Sequence, residues 1–158
     1  AVDFPLSASG RFRTVNEGYW KDGNMADLIE ELKNEHGIIL DILNHVRTLE
    51  ISSSAGQEKL LSARDLLISH MKKEDEHYYP ALKRAAKDKR DLNVMLDYFV
   101  QDMEVVSKKA MELFKKYSQG GDDAEFAGDV KLLYMTLKDR IRTEEEILFK
   151  KFPRLSDG

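Results

Sequence analysis

Three polar residues, His70, Glu74 and His77, interrupt the apolar face of a predicted helix in the segment ISHMKKEDEHYYPAL, residues 68–82. Their spacing of four and then three residues puts all three on one stripe of that helix. Imidazole nitrogen and carboxylate oxygen together are suitable ligands for iron or manganese and, less distinctively, for zinc. The segment therefore predicts one side of a buried metal site.

Two further residues can reach the same level from other helices. His36 lies about as far before the first predicted interhelical turn as His70 lies after it. A helical rise of about 1.5 Å per residue therefore brings the two histidines to nearly the same depth. Glu144 can approach this layer from the last helix. The predicted metal ligands are His36, His70, Glu74, His77 and Glu144.

A metal-free core is the competing interpretation of these residues. A buried carboxylate without a partner is costly, and Arg140 lies four residues before Glu144 on the same stripe. A pair between Arg140 and Glu144 or Glu74 would form a buried ion-pair layer without any metal. The protein would then be a four-helix-bundle interaction or signalling module.

Four long helices must position these residues, because the chain has almost no strand signal. Apolar residues recur at alternating steps of three and four over residues 24–50, from 57 into the eighties, over 91–117 and over 124–152. Pro80 predicts a kink or a stop in the second helix, since its ring clashes with the preceding turn. Short connections favour antiparallel neighbours, so we expect an all-α, up-down-up-down antiparallel four-helix bundle.

Length and composition fit one domain. The chain has 158 residues, of which 42% are hydrophobic and 34% charged, enough for a single apolar core. Residues 25–152 are predicted to form the bundle, with an irregular N-terminal arm at 1–24 and a C-terminal tail at 153–158.

Composition also excludes several classes of function. The absence of cysteine rules out thiolate metal sites, disulfides and cysteine nucleophiles. The net charge is −4 and no dense run of Lys or Arg occurs, so we expect no nucleic-acid partner. The apolar runs are far shorter than the roughly 20 residues of a membrane helix. These features favour a cytoplasmic protein without membrane contact, and they are compatible with a leader removed before Ala1.

The segments around the predicted ligands resemble the haemerythrin-like family, also called HHE cation-binding domains. The matching segments are ELKNEHGIILDIL, LISHMKKEDEHYYPAL and LKDRIRTEEEILFKKF, and the resemblance covers about residues 25–152. It implies a four-helix bundle with His36 and His70 as terminal ligands and Glu74 and Glu144 as carboxylates that bridge two irons. It also implies an iron cofactor with a small diatomic ligand, oxygen or nitric oxide.

Two positions depart from the family pattern. Met103 stands where a histidine of the third helix is expected, and Arg140 stands where a histidine of the fourth helix is expected. SHMKKEDEHYYP and DRIRTEEEILF nevertheless resemble each other, which suggests the internal two-fold repeat of the family. The lost nitrogen ligands favour a mononuclear iron site, or an empty one, over a di-iron centre. His77 is a candidate replacement for one of them, and manganese and zinc are alternative metals.

The predicted function is therefore that of a haemerythrin-like, non-haem iron-binding protein that senses or binds oxygen, nitric oxide or metal ions. A histidine phosphotransfer domain is a third class, but His36 is predicted to be buried, and the lysine-glycine pattern that such a domain needs does not follow it. No nucleophile, base and orienting group can be placed together, which argues against an enzyme. A protein partner or a homo-oligomer is compatible with the sequence.

Overall fold

The computed structural model describes residues 25–151, which are helical except for short connections. Two π-helical turns, Glu74–Tyr78 and Glu144–Leu148, interrupt the regular helices. The first π turn joins α2 to α3, and the second extends α5. The α-helices are α1 (Met25–Val46), α2 (Ser54–Lys73), α3 (Tyr79–Ala85), α4 (Arg90–Lys116) and α5 (Asp123–Thr143).

The four long helices form the predicted bundle. Helix α1 packs against α2 and α5, and α4 packs against α5 and α2, so the four enclose one interior. Within residues 25–151 the structure contains no strand, only an isolated bridge between Ser118 and Gly120. None of the helices described is long and apolar enough to cross a membrane. The all-α fold class is confirmed, while the predicted arm and tail lie outside the described residues.

Local signals in the sequence account for the helix starts. Ser53 caps α2 by accepting a hydrogen bond from the Gly56 amide at 3.0 Å. Asp122 caps α5 in the same way, with the Glu125 amide at 2.8 Å. Such caps satisfy amide groups that have no partner inside the helix. Gly120, at φ 93°, adopts the left-handed conformation that glycine tolerates best and turns the chain between α4 and α5.

The apolar core is divided into two clusters. One cluster contains Ile39 of α1, Leu67 of α2 and Leu137 of α5. The other cluster includes Leu32, which precedes His36 on α1, and Leu148, which follows Glu144 in the second π turn. The segments between these positions carry the polar residues singled out in the sequence. A polar layer therefore lies between two apolar clusters.

The two π turns change the register of the faces that simple periodicity predicts. A π turn contains one more residue than an α-helical hydrogen-bonded turn, so the residues after it rotate to new positions. Tyr78, which is 0% exposed, takes the interior position predicted for His77. Ile147 follows Glu144 by three residues, so regular heptad spacing predicts it inside as well, but it is 39% exposed and Leu148, 2% exposed, takes the interior position. The predicted interior positions of His77 and Ile147 are therefore wrong.

Pro80 does not stop the helix. It lies in the first turn of α3, directly after the π turn. The Tyr79 amide bonds back to the Glu74 carbonyl, five residues earlier, and the chain continues with helical dihedral angles. Pro80 has no amide donor, and the π turn directly before it leaves Pro80 in a first helical turn, where no such donor is needed. The chain therefore stays helical to Ala85.

Candidate metal centre

Four buried side chains converge in the polar layer: His36, His70, Glu74 and Glu144. Each residue is at most 4% exposed. The Nε2 atoms of both histidines face carboxylate oxygens, with His70 Nε2 2.5 Å from Glu74 Oε1 and His36 Nε2 3.1 Å from Glu144 Oε1. His36 Nε2 also lies 3.5 Å from Glu74 Oε1. One ligand atom from each residue lies within 4.8 Å of the other three.

A π turn begins at each of the two carboxylates of this layer. Glu74 and Glu144 are each the first residue of a π turn, and each carbonyl accepts the amide of the fifth residue after it. The internal repeat that the sequence suggests thus has a structural counterpart in both halves of the bundle. Single π turns inside α-helices occur frequently at functional sites.

Neighbouring side chains hold the atoms that face away from the layer. Glu35 Oε1 lies 3.2 Å from His70 Nδ1, and the Tyr79 hydroxyl donates to Glu144 Oε2 at 2.6 Å. Both contacts leave the opposite atom, His70 Nε2 or Glu144 Oε1, directed at the centre. Glu35 and Tyr79 are not among the residues predicted from the sequence. For Glu35 a signal existed, because an acidic residue directly precedes both His36 and Met103.

Burial and charge act against each other on the imidazoles. Burial acts to lower the pKa of His36, but the adjacent carboxylates of Glu144 and Glu74 outweigh it and raise the pKa to about 9. Burial also opposes the charged form of His70, and the charge of Glu74 with the contact from Glu35 raises its pKa to about 10. Both side chains are therefore in the charged imidazolium form at neutral pH unless a metal ion displaces one of the two ring protons.

The same layer separates the properties of its two carboxyl groups. Burial acts to raise the pKa of Glu74, but the charge of His70 and the contact with His36 hold it well below its ordinary value. For Glu144, burial and the charge of Glu74 together raise the pKa above the ordinary range. The layer thus contains one firmly ionised carboxylate and one that takes up a proton more readily.

The donor atoms and their spacing fit a metal ion. Nitrogen and oxygen ligands lie about 2.0–2.2 Å from a bound zinc ion, so ligands on opposite sides of one ion are about 4.0–4.4 Å apart, slightly closer than the 4.8 Å within which these four atoms lie. The four residues line a cavity of about 20 Å³, which admits one ion or one water molecule. Glu144 Oε1 is buried and lies 3.1 Å from His36 Nε2, but within the described residues that contact does not have hydrogen-bond geometry. A cation would satisfy this oxygen.

Comparison with known families agrees with this geometry. The sequence model described as Hemerythrin HHE cation binding domain matches residues 23–152. The chain belongs to this family. The match spans every helix described for this haemerythrin-like chain, so the family predicted from the segments around the ligands is confirmed. No curated protein and no solved structure shows a significant match.

His77 is not among the residues that the haemerythrin-like bundle brings together. Its side chain is 26% exposed, and its Nε2 lies 4.0 Å from Glu76 Oε2. The π turn accounts for this placement, because it rotates Tyr78 rather than His77 into the interior. The proposal that His77 replaces a lost nitrogen ligand therefore has no geometric support.

Arg140 does not form the predicted ion pair with Glu144 or Glu74. Its guanidinium pairs with Asp102 of α4, and both side chains are partly exposed, at 28% and 34%. Dehydrating two charges in the core is costly, and Asp102 offers a carboxylate that retains solvent contact. The prediction of a buried Arg140–Glu core is wrong.

The two halves of the bundle repeat one contact with different residues. In the first half, Glu35 of α1 contacts His70 near the end of α2. In the second half, Asp102 of α4 contacts Arg140 near the end of α5. The carboxylate is present in both halves, but Met103 and Arg140 stand where the family pattern leads us to expect histidines. The histidines of the layer are therefore confined to the first half.

We expect Arg140→Met to lower the free energy of unfolding of the metal-free protein by at most about 1 kcal/mol, because partly exposed ion pairs contribute little. Urea denaturation in the presence of a chelator measures this change. Lys83→Met, which removes the exposed pair with Asp97, is the matched control. A loss of about 3–5 kcal/mol, typical of a broken buried pair, would contradict the placement of Arg140.

Proposed function

We propose that this haemerythrin-like domain binds one metal ion through His36, His70, Glu74 and Glu144. The observation that carries the proposal is the convergence of four buried donor atoms within 4.8 Å in a domain of the HHE cation-binding family. Burial of two carboxylates is costly without compensating positive charge, and a divalent cation supplies that charge. Apolar clusters lie on both sides of the layer.

The distribution of donors supports one ion rather than two. A second ion would need nitrogen ligands from α4 and α5, where Met103 and Arg140 line the cavity instead. Arg140 also places a positive charge beside the position that such an ion would occupy.

Iron is the metal that we propose for the site. Two imidazoles with two carboxylates are borderline-to-hard ligands that suit iron. They also accept manganese or zinc, so the concentration of each metal in the cell helps to decide which one is bound. When bound, iron would supply coordination positions for a small diatomic ligand, so the proposal extends to binding or sensing oxygen or nitric oxide. Within this scheme Glu35 and Tyr79 orient ligand atoms, while Glu74 and Glu144 provide negative charge.

One observation favours a second candidate function, a metal-free interaction or signalling module. The Nε2 atoms of His70 and His36 lie 2.5 Å and 3.1 Å from carboxylate oxygens, so two imidazolium groups at these positions would balance the buried carboxylates without a metal ion. In that case the layer would be a structural ion-pair core. Metal titration separates the two functions, because a structural ion-pair core is expected to keep its protons and to bind no added metal ion.

Metal affinity is expected to rise with pH. The pKa values of His36 and His70, about 9 and about 10, lie above the ordinary value of 6.5. Both imidazoles are therefore in the imidazolium form below pH 9 in the metal-free protein, and a metal ion must displace one proton from each of them, together with any proton on Glu144. Calorimetric titration with Zn²⁺ at pH 7, in buffers of different ionisation enthalpy, counts the protons released. Binding without proton release, or with an affinity that is constant from pH 6 to 8, would contradict this account of the layer.

The remaining predictions from the sequence complete the proposal. Residues 25–152 form the metal-binding domain, with an arm at 1–24 and a tail at 153–158. The composition supports a cytoplasmic location. A protein partner or a second copy of the chain would bind differently to the metal-bound and the metal-free forms of the domain.

A further inference from the structure

A chain of charged side chains leads from the surface of the bundle to His70. Lys73 Nζ lies 2.5 Å from Glu31 Oε1 and 2.6 Å from Glu35 Oε2. The other oxygen of Glu35 lies 3.2 Å from His70 Nδ1. The side chains of Lys73 and Glu35 are each only 14% exposed. Both oxygens of Glu35 are therefore engaged, one by the lysine and one by the imidazole.

The direction of the His70 ring makes this contact relevant to metal binding. Its Nε2 faces Glu74 inside the layer, so Nε2 is the atom available to a metal ion. A neutral imidazole that binds a metal through Nε2 carries its proton on Nδ1. Glu35 Oε1 is placed to accept a hydrogen bond from that Nδ1–H group, which fixes both the ring orientation and the position of the proton.

We propose that Glu35, held by Lys73, is the positioning residue that presents His70 Nε2 to the metal. This inference rests on the proposed metal site. Lys73 contributes by restraining the carboxylate, since a glutamate side chain without that contact loses more conformational freedom when it orders around the histidine.

Two other contacts in the structure support this role. In the second half of the bundle, Asp102 occupies the position that matches Glu35 and contacts Arg140, the residue that matches His70. In both halves a carboxylate therefore contacts the residue at this position of the repeat, which is a histidine in the first half and an arginine in the second. His36 differs, because its Nδ1 is 3.6 Å from Glu145 and forms no hydrogen bond with the described residues. His70 is thus the one of the two imidazoles whose outer nitrogen has a close carboxylate acceptor.

The test compares Glu35→Leu with Glu31→Leu. Glu31 lies one turn earlier on α1 and contacts the same lysine, but the structure gives it no contact with His70. Co²⁺ binding is measured by absorption titration, because the cobalt spectrum reports both affinity and ligand geometry. We expect Glu35→Leu to weaken Co²⁺ binding by about 10–100-fold, the loss typical of removing an outer partner of a ligating histidine. Glu31→Leu should change the affinity by less than about threefold.

A second pair of variants, Glu35→Gln and Glu31→Gln, covers the case in which the leucine variant does not fold. The glutamine carbonyl still accepts a hydrogen bond but lacks the charge, so we expect Glu35→Gln to weaken binding less than Glu35→Leu and more than Glu31→Gln. In the Zn²⁺-loaded protein, proton NMR should show a strongly downfield Nδ1–H signal of His70 that shifts only in the Glu35 variants. A structural role alone would not move this signal.

The outcomes separate this inference from the proposed function. If the unaltered protein bound no Co²⁺, the proposed metal site itself would be wrong. If the unaltered protein bound Co²⁺ and the Glu35 variants bound it as tightly as the Glu31 variants, the metal site would stand and the positioning role of Glu35 would be overturned.

Discussion

His70→Ala is expected to weaken metal binding by more than about 100-fold, beyond the loss that follows removal of an outer partner. The substitution removes one of the two imidazoles in the layer, and the second half of the bundle offers no histidine to replace it. Zn²⁺ or Fe²⁺ titration of the purified variant measures the loss. Circular dichroism confirms that the variant retains its helices.

His77→Ala is the matched control, because it lies on the same segment and its side chain is 26% exposed outside the four-residue group. We expect its metal affinity to equal that of the unaltered protein within about twofold. An equal loss in both variants would place His77 in the site and would contradict the register that the π turn imposes. Unchanged binding in His70→Ala would show that the metal binds elsewhere.

Met103→His combined with Arg140→His is expected to raise the metal content from one to two ions per chain. The two substitutions introduce imidazoles at the positions where the family pattern has them, and Asp102 is already placed to contact the residue at position 140. They also remove the positive charge that disfavours a second ion. Elemental analysis after anaerobic reconstitution with Fe²⁺ gives the stoichiometry.

The control for this gain is Met103→Leu combined with Arg140→Met, which removes the same side chains and adds no ligand. We expect this variant to keep one ion per chain. If the double-histidine variant folds and still binds a single ion, the missing histidines are not what limits the site. If the unaltered protein already binds two ions, the interpretation of Met103 and Arg140 is wrong.

Periodicity and helix length were sufficient to predict the bundle and four residues that it brings together. His36, His70 and Glu74 lie on regular helical stripes before any π turn has acted on the register, and Glu144 begins the second π turn. Their depths follow from the constant rise of the α-helix. The prediction of the layer therefore depends only on properties that are uniform along a helix.

Helical periodicity predicts the wrong interior residues where a helix departs from regular α-helical geometry. A π turn replaces a few hydrogen bonds by others of similar type, and packing decides where it forms. No composition signal marks it, so His77 and Ile147 were predicted inside in place of Tyr78 and Leu148. Both errors follow the two residues that supply carboxylates to the layer.

The partner of Arg140 was also beyond reach of the sequence. A long, flexible guanidinium side chain can meet carboxylates on its own helix or on a neighbouring one. The pairing with Asp102 depends on the distance between α4 and α5, which a helical period does not contain. For the same reason the contacts of Glu35 and Tyr79 became visible only when the helices were placed side by side.

Metal stoichiometry of the unaltered protein tests the central claim most directly. Protein freed of metal by a chelator is incubated anaerobically with excess Fe²⁺, Mn²⁺ or Zn²⁺, desalted, and analysed for metal and protein content. The account predicts one ion per chain for iron, and loss of that ion in His70→Ala. If the desalted protein contained none of the three metals, the proposed site would be wrong. The protonated His36 and His70 with Glu74 and Glu144 would then form a structural ion-pair layer.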